Sequence, residues 1–429
     1  MSRIALISEH ASPLATLGGV DAGGQNIYVG QLARRLAALG HEVEVLTRRD
    51  RRGLPEVVPW AGGARVVHVA AGPPSAVRKE DMLPFMDEFA DGVRARVRRR
   101  GHYDLIHANF FMSGMVAAEL RRSSGTPFVV TFHALGRVRR LHQGDADGFP
   151  DERLAIEDRV VAEADGIVAE CPQDQDDLVH LYGADRGRIT VIPCGFDPSE
   201  FWPIDKPRAR AALGIGPGGP VLLQLGRMVP RKGVDNVIRG LARLRRDRGI
   251  AARLLVVGGE SEVPDPAITP EIGRLRSIAQ SEGVADAVTF VGSRGRDVLR
   301  YYYAAADVFI TTPWYEPFGI TPVEAMACGT PVVGADVGGI KATVVDGKTG
   351  FLVPPNDPAA LAGRLALLLN DPGLLRAFAR RAVRRANEHY TWGRVAEAVD
   401  GLYSWVLAAG STQRNRGRLA HVGAGRSDA

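Results

Sequence analysis

Glu316-Pro317-Phe318-Gly319-Ile320-Thr321-Pro322-Val323-Glu324 sets two carboxylates eight positions apart, around a Phe-Gly turn and the start of an apolar helix. Val308-Phe309-Ile310 just before reads as a strand, and Cys328-Gly329-Thr330-Pro331-Val332-Val333 leads into the next one. The first carboxylate is therefore expected in a loop at a strand's carboxyl end, beside free helix N–H groups, and the second about two turns into the helix. Carboxylates accept hydrogen bonds from polyol hydroxyls, and helix amides hold phosphate. The chemistry that fits is a nucleotide-sugar site. A Glu324 salt-bridged within a helix interface is the plainer alternative.

Three further clusters fall at expected strand ends. Gly18-Gly19-Val20-Asp21-Ala22-Gly23-Gly24-Gln25-Asn26 precedes the first long helix. Its glycines could bring amides up to a phosphate, or simply form a turn. It is not GxGxxG, so it does not signal a dinucleotide. Thr131-Phe132-His133-Ala134 interrupts the fifth strand with polar residues. His133 there is either a strand-end cap or a group facing the donor from the opposite wall of a cleft. In Gly226-Arg227-Met228-Val229-Pro230-Arg231-Lys232-Gly233, Arg227 and Lys232 could clamp a diphosphate and neutralise a leaving group, or form a solvated basic turn. Lys232 beside a helix N-terminus is electrostatically unfavourable, and a bound phosphate would relieve that conflict.

Positioning these clusters requires a particular scaffold. Strand-like runs alternate with helical periodicity along nearly all 429 residues, which argues for α/β architecture with parallel sheets. Strands are expected at Ile4–Ser8, Glu42–Thr47, Arg65–Val69, Asp104–Ala108, Phe128–Phe132, Gly166–Ala169 and Ile189–Ile192. A second set is expected at Val221–Leu225, Arg253–Val257, Val288–Val291, Val308–Thr311, Pro331–Gly334 and Phe351–Val353. Tyr28 to Leu39 is an amphipathic helix closed by Gly40. Pro193 to Pro207 breaks the periodicity as a linker would. The expected organisation is an N-terminal domain over 1–203, a second domain over 204–389, a helix near 390–409 crossing back onto the first, and a disordered tail over 410–429. Two doubly wound domains would then face each other across a cleft, with ligands beyond the strands' carboxyl ends.

The bulk numbers narrow the class. Hydrophobic content of 45% and charged content of 24% are ordinary for a globular protein, and a net charge of +5 suits a phosphate-bearing ligand without demanding one. The cysteines, Cys171, Cys194 and Cys328, are too few and too scattered for a disulfide framework or thiolate zinc. The first residues enter a strand directly, and no run approaches a membrane span. A cytoplasmic protein is expected, touching membrane only peripherally. Arg94–Arg100 and Arg380–Arg385 read as solvated helix faces without interleaved aromatics, so nucleic acid is not expected as a partner. Tyr301-Tyr302-Tyr303 reads as helix packing. His10, His107 and His180 lack metal-ligand spacing.

On the Glu316/Glu324 pair, Gly226-Arg227 with Lys232-Gly233, and Gly23-Gly24-Gln25-Asn26-Ile27-Tyr28-Val29, the chain resembles the retaining GT-B glycosyltransferases of family 4. The likeness spans everything but the tail. Its opening is most similar to the inositol-phosphate enzymes of the mycothiol pathway, and Gly24-Gln25 is similar to sucrose-phosphate synthases. The resemblance implies a nucleoside diphosphate sugar donor, UDP being the favoured base, and a small hydroxylated acceptor. It implies that Arg227 and Lys232 hold the diphosphate, Glu324 the ribose, and Glu316 with the backbone of Phe318, Gly319 and Ile320 the sugar. Arg294 would lie by the base, Gly24 near the phosphate from the other domain, and His133 beside the reacting carbon. On the acceptor side it implies Asn26, Lys79, Phe110, Ala134 and Arg153. Phe110 stands where the inositol-phosphate enzymes have a tyrosine, and Ala134 where they have a threonine. Each lost hydroxyl removes a hydrogen bond of about 1 kcal/mol, which weighs against inositol phosphate unless Arg153 compensates.

Retention could mean double displacement, but ribose and sugar binding use both glutamates. The expected route is same-face transfer in which the departing diphosphate takes the acceptor's proton, aided by domain closure. No cofactor or metal is expected, as no DxD-like motif accompanies the donor residues. Transfer to a lipid-linked acceptor, epimerisation of a nucleotide sugar, and silent binding of one are the alternatives. Monomer and homodimer are both compatible with the sequence.

Overall fold

The computed structural model describes residues 1–15, 23–216 and 218–424. Two sheets divide the chain. The first holds β1 (Arg3–Ile7), β2 (Glu42–Arg48), β3 (Val57–Pro59), β4 (Arg65–Val69), β5 (Leu105–Asn109), β6 (Phe128–Thr131), β7 (Gly166–Ala169) and β8 (Ile189–Val191), ordered β3-β4-β2-β1-β5-β6-β7-β8. The second holds β9 (Val221–Leu225), β10 (Arg253–Val257), β11 (Val288–Gly292), β12 (Val308–Thr311), β13 (Val332–Ala335) and β14 (Gly350–Val353), ordered β11-β10-β9-β12-β13-β14. Every pairing is parallel except β3 with β4. Strands such as Ile4-Ala5-Leu6-Ile7 are wholly buried because helices cover both faces, which explains their unbroken apolar runs. The order reverses between β1 and β5 in one sheet and between β9 and β12 in the other, and at these switch points the strand ends open a crevice.

Sequence periodicity missed β3, a three-residue edge strand ending in Pro59. Such short, proline-blunted edges carry no alternation to detect. The Arg94–Arg100 face is also not uniformly solvated. Arg96 is buried and donates 2.6 and 3.1 Å hydrogen bonds to Glu44 on β2. Burial would raise the Glu44 carboxyl, but Arg96, Tyr103 and Arg65 pull it down to about 2.

The linker between the sheets is packed. Phe196 and Phe201 are fully buried, and Phe196 pairs with the segment that enters the last helix. Its N–H donates to Tyr390 O at 2.8 Å, and Trp392 N–H returns to Phe196 O at 3.0 Å. A Cβ on Gly195 would lie 2.9 Å from both Trp392 N and Tyr390 O, so no side chain fits. Gly195→Ala is expected to cost roughly 1–3 kcal/mol in urea unfolding; an unchanged midpoint would show that this crossing is slack.

The last helix, Trp392–Ala424, returns to the first domain, where Tyr403 shares a 2.6 Å hydrogen bond with His107 and Asp400 a 2.9 Å contact with His41. The helix continues through most of the tail expected to be disordered. Gln413-Arg414 and Arg418-Leu419-Ala420 favour helix, no proline interrupts them, and extending an anchored helix avoids the nucleation cost. Residues 425–429 lie outside the described residues. Among the described residues, no helix is long and apolar enough to cross a membrane.

Candidate active site

The turn after β9 and the loop after β12 form one wall. Pro230–Lys232 makes a single 3-10 turn, and Thr312 Oγ1 donates to Gly233 O at 3.0 Å, tying that turn to the β12 loop. Gly338, at φ +44°, lets a neighbouring turn press on Glu316, whose carbonyl accepts from Gly339 N–H at 3.0 Å; a Cβ at Gly338 would collide with that carbonyl. Fixed in this way, Glu316 accepts a hydrogen bond from Lys232 Nζ and lies 3.9 Å from Arg231. Burial pushes the Lys232 ammonium down to about 8, helped by Arg231 and Arg227 and opposed by Glu316. Burial would raise the Glu316 carboxyl, but Lys232, Arg231 and Arg227 hold it below the usual carboxylate range. The conflict expected for Lys232 at a helix entrance is met here by Glu316.

The helix after this loop begins at Ile320, so Glu324 sits just past one turn into it rather than two. Glu324 is buried. Its oxygens accept from Arg296 Nη1 at 2.9 Å and Tyr303 Oη at 2.8 Å. Burial raises its carboxyl despite these partners. Glu324 is thus salt-bridged, as the plainer alternative has it, and it also lines the cleft. The tyrosine run also does more than pack, since Tyr302 Oη accepts from Arg294 Nε at 3.2 Å.

The facing wall comes from the first domain. The helix Gly24–Ala38 starts earlier than its apolar pattern suggested, which places Gly24 in its first turn. A Cβ on Gly24 would stand 3.5 Å from Ile320 Cδ1, and one on Gly23 would stand 4.0 Å from Arg227 Nε. Two helix N-termini therefore meet across the crevice. The preceding Gly18–Ala22 stretch lies outside the described residues. His133 follows β6 at φ +58°, its Nδ1 3.0 Å from Glu170 Oε1 and its Nε2 3.1 Å from Asn109 Oδ1. Cys194 Sγ donates to the same Glu170 oxygen at 2.9 Å.

These groups enclose a cavity of about 340 Å³, within the range of small-molecule sites. Gly24, Asn26, Lys79, Phe110, His133, Ala134, Arg227, Lys232, Arg294, Glu316, Phe318, Gly319, Ile320 and Glu324 all line it. Arg153 does not. Its guanidinium is buried under Phe110, Phe111 and Phe149, 4.5–5.0 Å from their centroids, and donates to Glu157 Oε1 at 2.7 Å and to Ala134 O. It sits in the core rather than on the cavity wall where an acceptor ligand was expected. The Asn26 amide is committed to its own loop, accepting from Gly23 N–H and donating to Ser12 O, each at 2.9 Å. Sequence reasoning missed Glu170, Cys194, His10, Arg139, Arg231 and Arg296, all of which line the cavity. Arg231 lay inside a quoted motif, and Arg139 lies in the first turn of the helix just after His133. Glu170 and Arg296 find their partners 37 and 28 residues away, with no local signal.

Tyr315 bridges the domains, stacking on His142 with centroids 5.0 Å apart and sharing a 2.5 Å hydrogen bond with Gln143. Lys341 Nζ reaches Gln173 Oε1 at 2.7 Å. Among the described residues, no three His, Cys, Asp or Glu side chains cluster as metal ligands would.

Comparison with known proteins places these features in context. Residues 205–385 match the family described as glycosyl transferases group 1, and residues 22–200 match glycosyltransferase family 4. A D-inositol 3-phosphate glycosyltransferase of Actinosynnema mirum is 41% identical over 94% of this chain and 97% of its own length. D-inositol 3-phosphate glycosyltransferase 2 of Catenulispora acidiphila is 40% identical, covering 94% of each chain. The solved sucrose-phosphate synthase of Thermosynechococcus elongatus superposes with a TM-score of 0.87 at 34% identity, covering 95% of this chain and all of that one. HepE of Anabaena, solved with UDP and glucose, shares the fold at a TM-score of 0.71 and 20% identity, covering 94% and 100%.

Proposed function

This chain belongs to the group 1 glycosyltransferases, with a family 4 amino-terminal domain, and from that premise we propose that it moves a hexosyl group from a UDP-sugar to a hydroxyl of a phosphorylated sugar or cyclitol, with retention at the anomeric carbon. The observation that carries the reading is the Lys232–Glu316 pair flanked by Arg231, in a cavity of about 340 Å³ that Gly23 and Gly24 line from the first domain. A diphosphate lying there meets three cationic side chains and two helix N-termini. Its sugar lies against the Glu316–Ile320 loop, its ribose by Glu324 and its base by Arg294.

With both glutamates in binding roles, the chemistry is electrostatic. As the anomeric bond breaks, negative charge gathers on the diphosphate oxygen, where Lys232, Arg227 and Arg231 stabilise it. That oxygen takes the acceptor proton on the same face, which preserves configuration. The Tyr315 bridge and the helix-to-helix approach hold donor and acceptor together and exclude water. His133, oriented by Glu170 and Asn109, stands beside the reacting carbon.

Thermal-shift measurements with UDP-, GDP- and ADP-sugars test the donor, with the largest stabilisation expected from a UDP-sugar. NMR of the product's anomeric proton tests retention. A product of inverted configuration, or no response to any nucleotide sugar, overturns the reading. Because side-chain cations supply the positive charge, turnover is expected to persist in EDTA. Complete loss restored by magnesium would refute that expectation.

A further inference from the structure

His133 holds a left-handed backbone, φ +58°, in the wall of the cavity. A residue with a side chain keeps that conformation only where its surroundings enforce it. Here the enforcement acts on the ring. Asn109 donates both amide hydrogens, to Ile7 O and His107 O at 3.3 Å each, so its Oδ1 can only accept. His133 Nε2, 3.1 Å from that oxygen, therefore carries a hydrogen toward it. Nδ1 lies 3.0 Å from Glu170 Oε1, which also accepts from the Cys194 thiol. Tyr28 packs on the imidazole in a T-shaped contact, centroids 4.8 Å apart. Both ring nitrogens are thus engaged within the first domain. Neither is left to bond a sugar hydroxyl or to take an acceptor's proton.

Glu170 is itself firmly placed. It follows β7, is 3% exposed, and its N–H donates to Asp174 Oδ2 at 2.9 Å, in the first turn of the helix Pro172–Tyr182. Burial would raise its carboxyl, but His133 and the Cys194 thiol hold it below the usual carboxylate range, against Glu316 on the opposite wall. A buried, ionised carboxylate thereby fixes the one strained residue at the proposed reacting centre.

We propose that Glu170 is a positioning residue for sugar transfer: it grips the His133 imidazole as a handle and so keeps the strained turn at residue 133 in the shape that meets the sugar. This rests on the proposed transferase reading and adds a residue to it. The bond changes stay as before. The anomeric carbon loses the diphosphate oxygen with its electron pair and gains the acceptor oxygen, whose proton passes to the diphosphate. Glu170 and His133 form no covalent bond to substrate.

The test measures UDP release from UDP-glucose and UDP-N-acetylglucosamine, with D-inositol 3-phosphate or a hexose 6-phosphate as acceptor, alongside UDP binding by calorimetry. Glu170→Gln, which keeps the size but not the charge, is expected to lower kcat about 10²-fold, the scale of a small misplacement at the reacting centre. UDP affinity should change about twofold or less, because the cations proposed to hold its diphosphate lie on the other domain. In histidine-labelled protein the nitrogen NMR signal of His133 Nδ1 should move in this variant, while that of Nε2 stays near its wild-type position. Glycine adopts a left-handed backbone without a handle, so His133→Gly should turn over faster than His133→Ala. Adding Glu170→Gln to His133→Gly should then cost about threefold or less, since no ring remains to be held. If Glu170→Gln does not fold, Glu170→Asp, one methylene short of the imidazole, is carried through the same comparison. The inference is overturned if the Glu170 variant turns over as wild type does, if its loss is as large beside His133→Gly, if UDP affinity falls in step with kcat, or if His133→Gly is no faster than His133→Ala. Wild-type protein that neither binds UDP nor releases it from these donors would instead count against the transferase reading itself.

Discussion

Lys232→Ala is expected to lower kcat/KM for sugar transfer by about 10²–10³, the usual loss when one group stabilising a developing anion is removed. Circular dichroism should show the variant folded, since Arg231 remains 3.9 Å from Glu316 to offset its charge. The pH profile gives a sharper readout. The ammonium is the form that holds phosphate, and burial brings its ionisation down to about 8 in the unliganded protein. In wild type, kcat/KM for the donor should therefore fall as pH rises through about 8, while kcat holds to higher pH because a bound diphosphate re-stabilises the ammonium. The variant should lose that alkaline limb. Wild-type rates in Lys232→Ala, or a limb that survives in it, would remove Lys232 from the diphosphate site.

Glu316→Gln should separate two effects that loss of a binding residue normally joins. In the unliganded protein the carboxylate occupies the place of an anion among Lys232, Arg231 and Arg227, and donor phosphate must displace it. A neutral glutamine leaves those cations uncompensated. UDP without sugar is then expected to bind about tenfold more tightly, roughly 1.4 kcal/mol. Turnover should nevertheless fall about 10²-fold, because a carboxylate acceptor for the sugar hydroxyls has been weakened. The unliganded variant should melt below wild type and recover when UDP is added. Calorimetry showing weaker UDP binding in Glu316→Gln would mean that the carboxylate does not compete with phosphate.

Much of this was legible in the residues because the informative signals are local. Buried parallel strands write themselves as unbroken apolar runs, and glycines, glutamates and basic residues at their ends mark the crevice. The strand that escaped notice, Val57–Pro59, has no periodicity to read. What stayed hidden is set by contacts between distant segments. Arg153 is polar, near the right place in the chain, and reads as a ligand until three phenylalanines close over it. Arg96 looks solvated on its helix until Glu44 from β2 appears beneath it. Glu170 and Asn109 are unremarkable where they stand in the sequence, yet they fix both nitrogens of His133. Arg139 was readable in part, since it follows His133 by six positions in a basic helix, but only Asp147 reveals which way its fork is held.

The chain crosses between lobes twice, and the two crossings are sewn to each other at Phe196, Tyr390 and Trp392. One seam rather than two independent tethers implies a common pivot, so opening can swing but not slide. It also makes the donor lobe a cassette: exchanging it for another specificity requires cuts on both sides of that seam, leaving the returning helix with its original host.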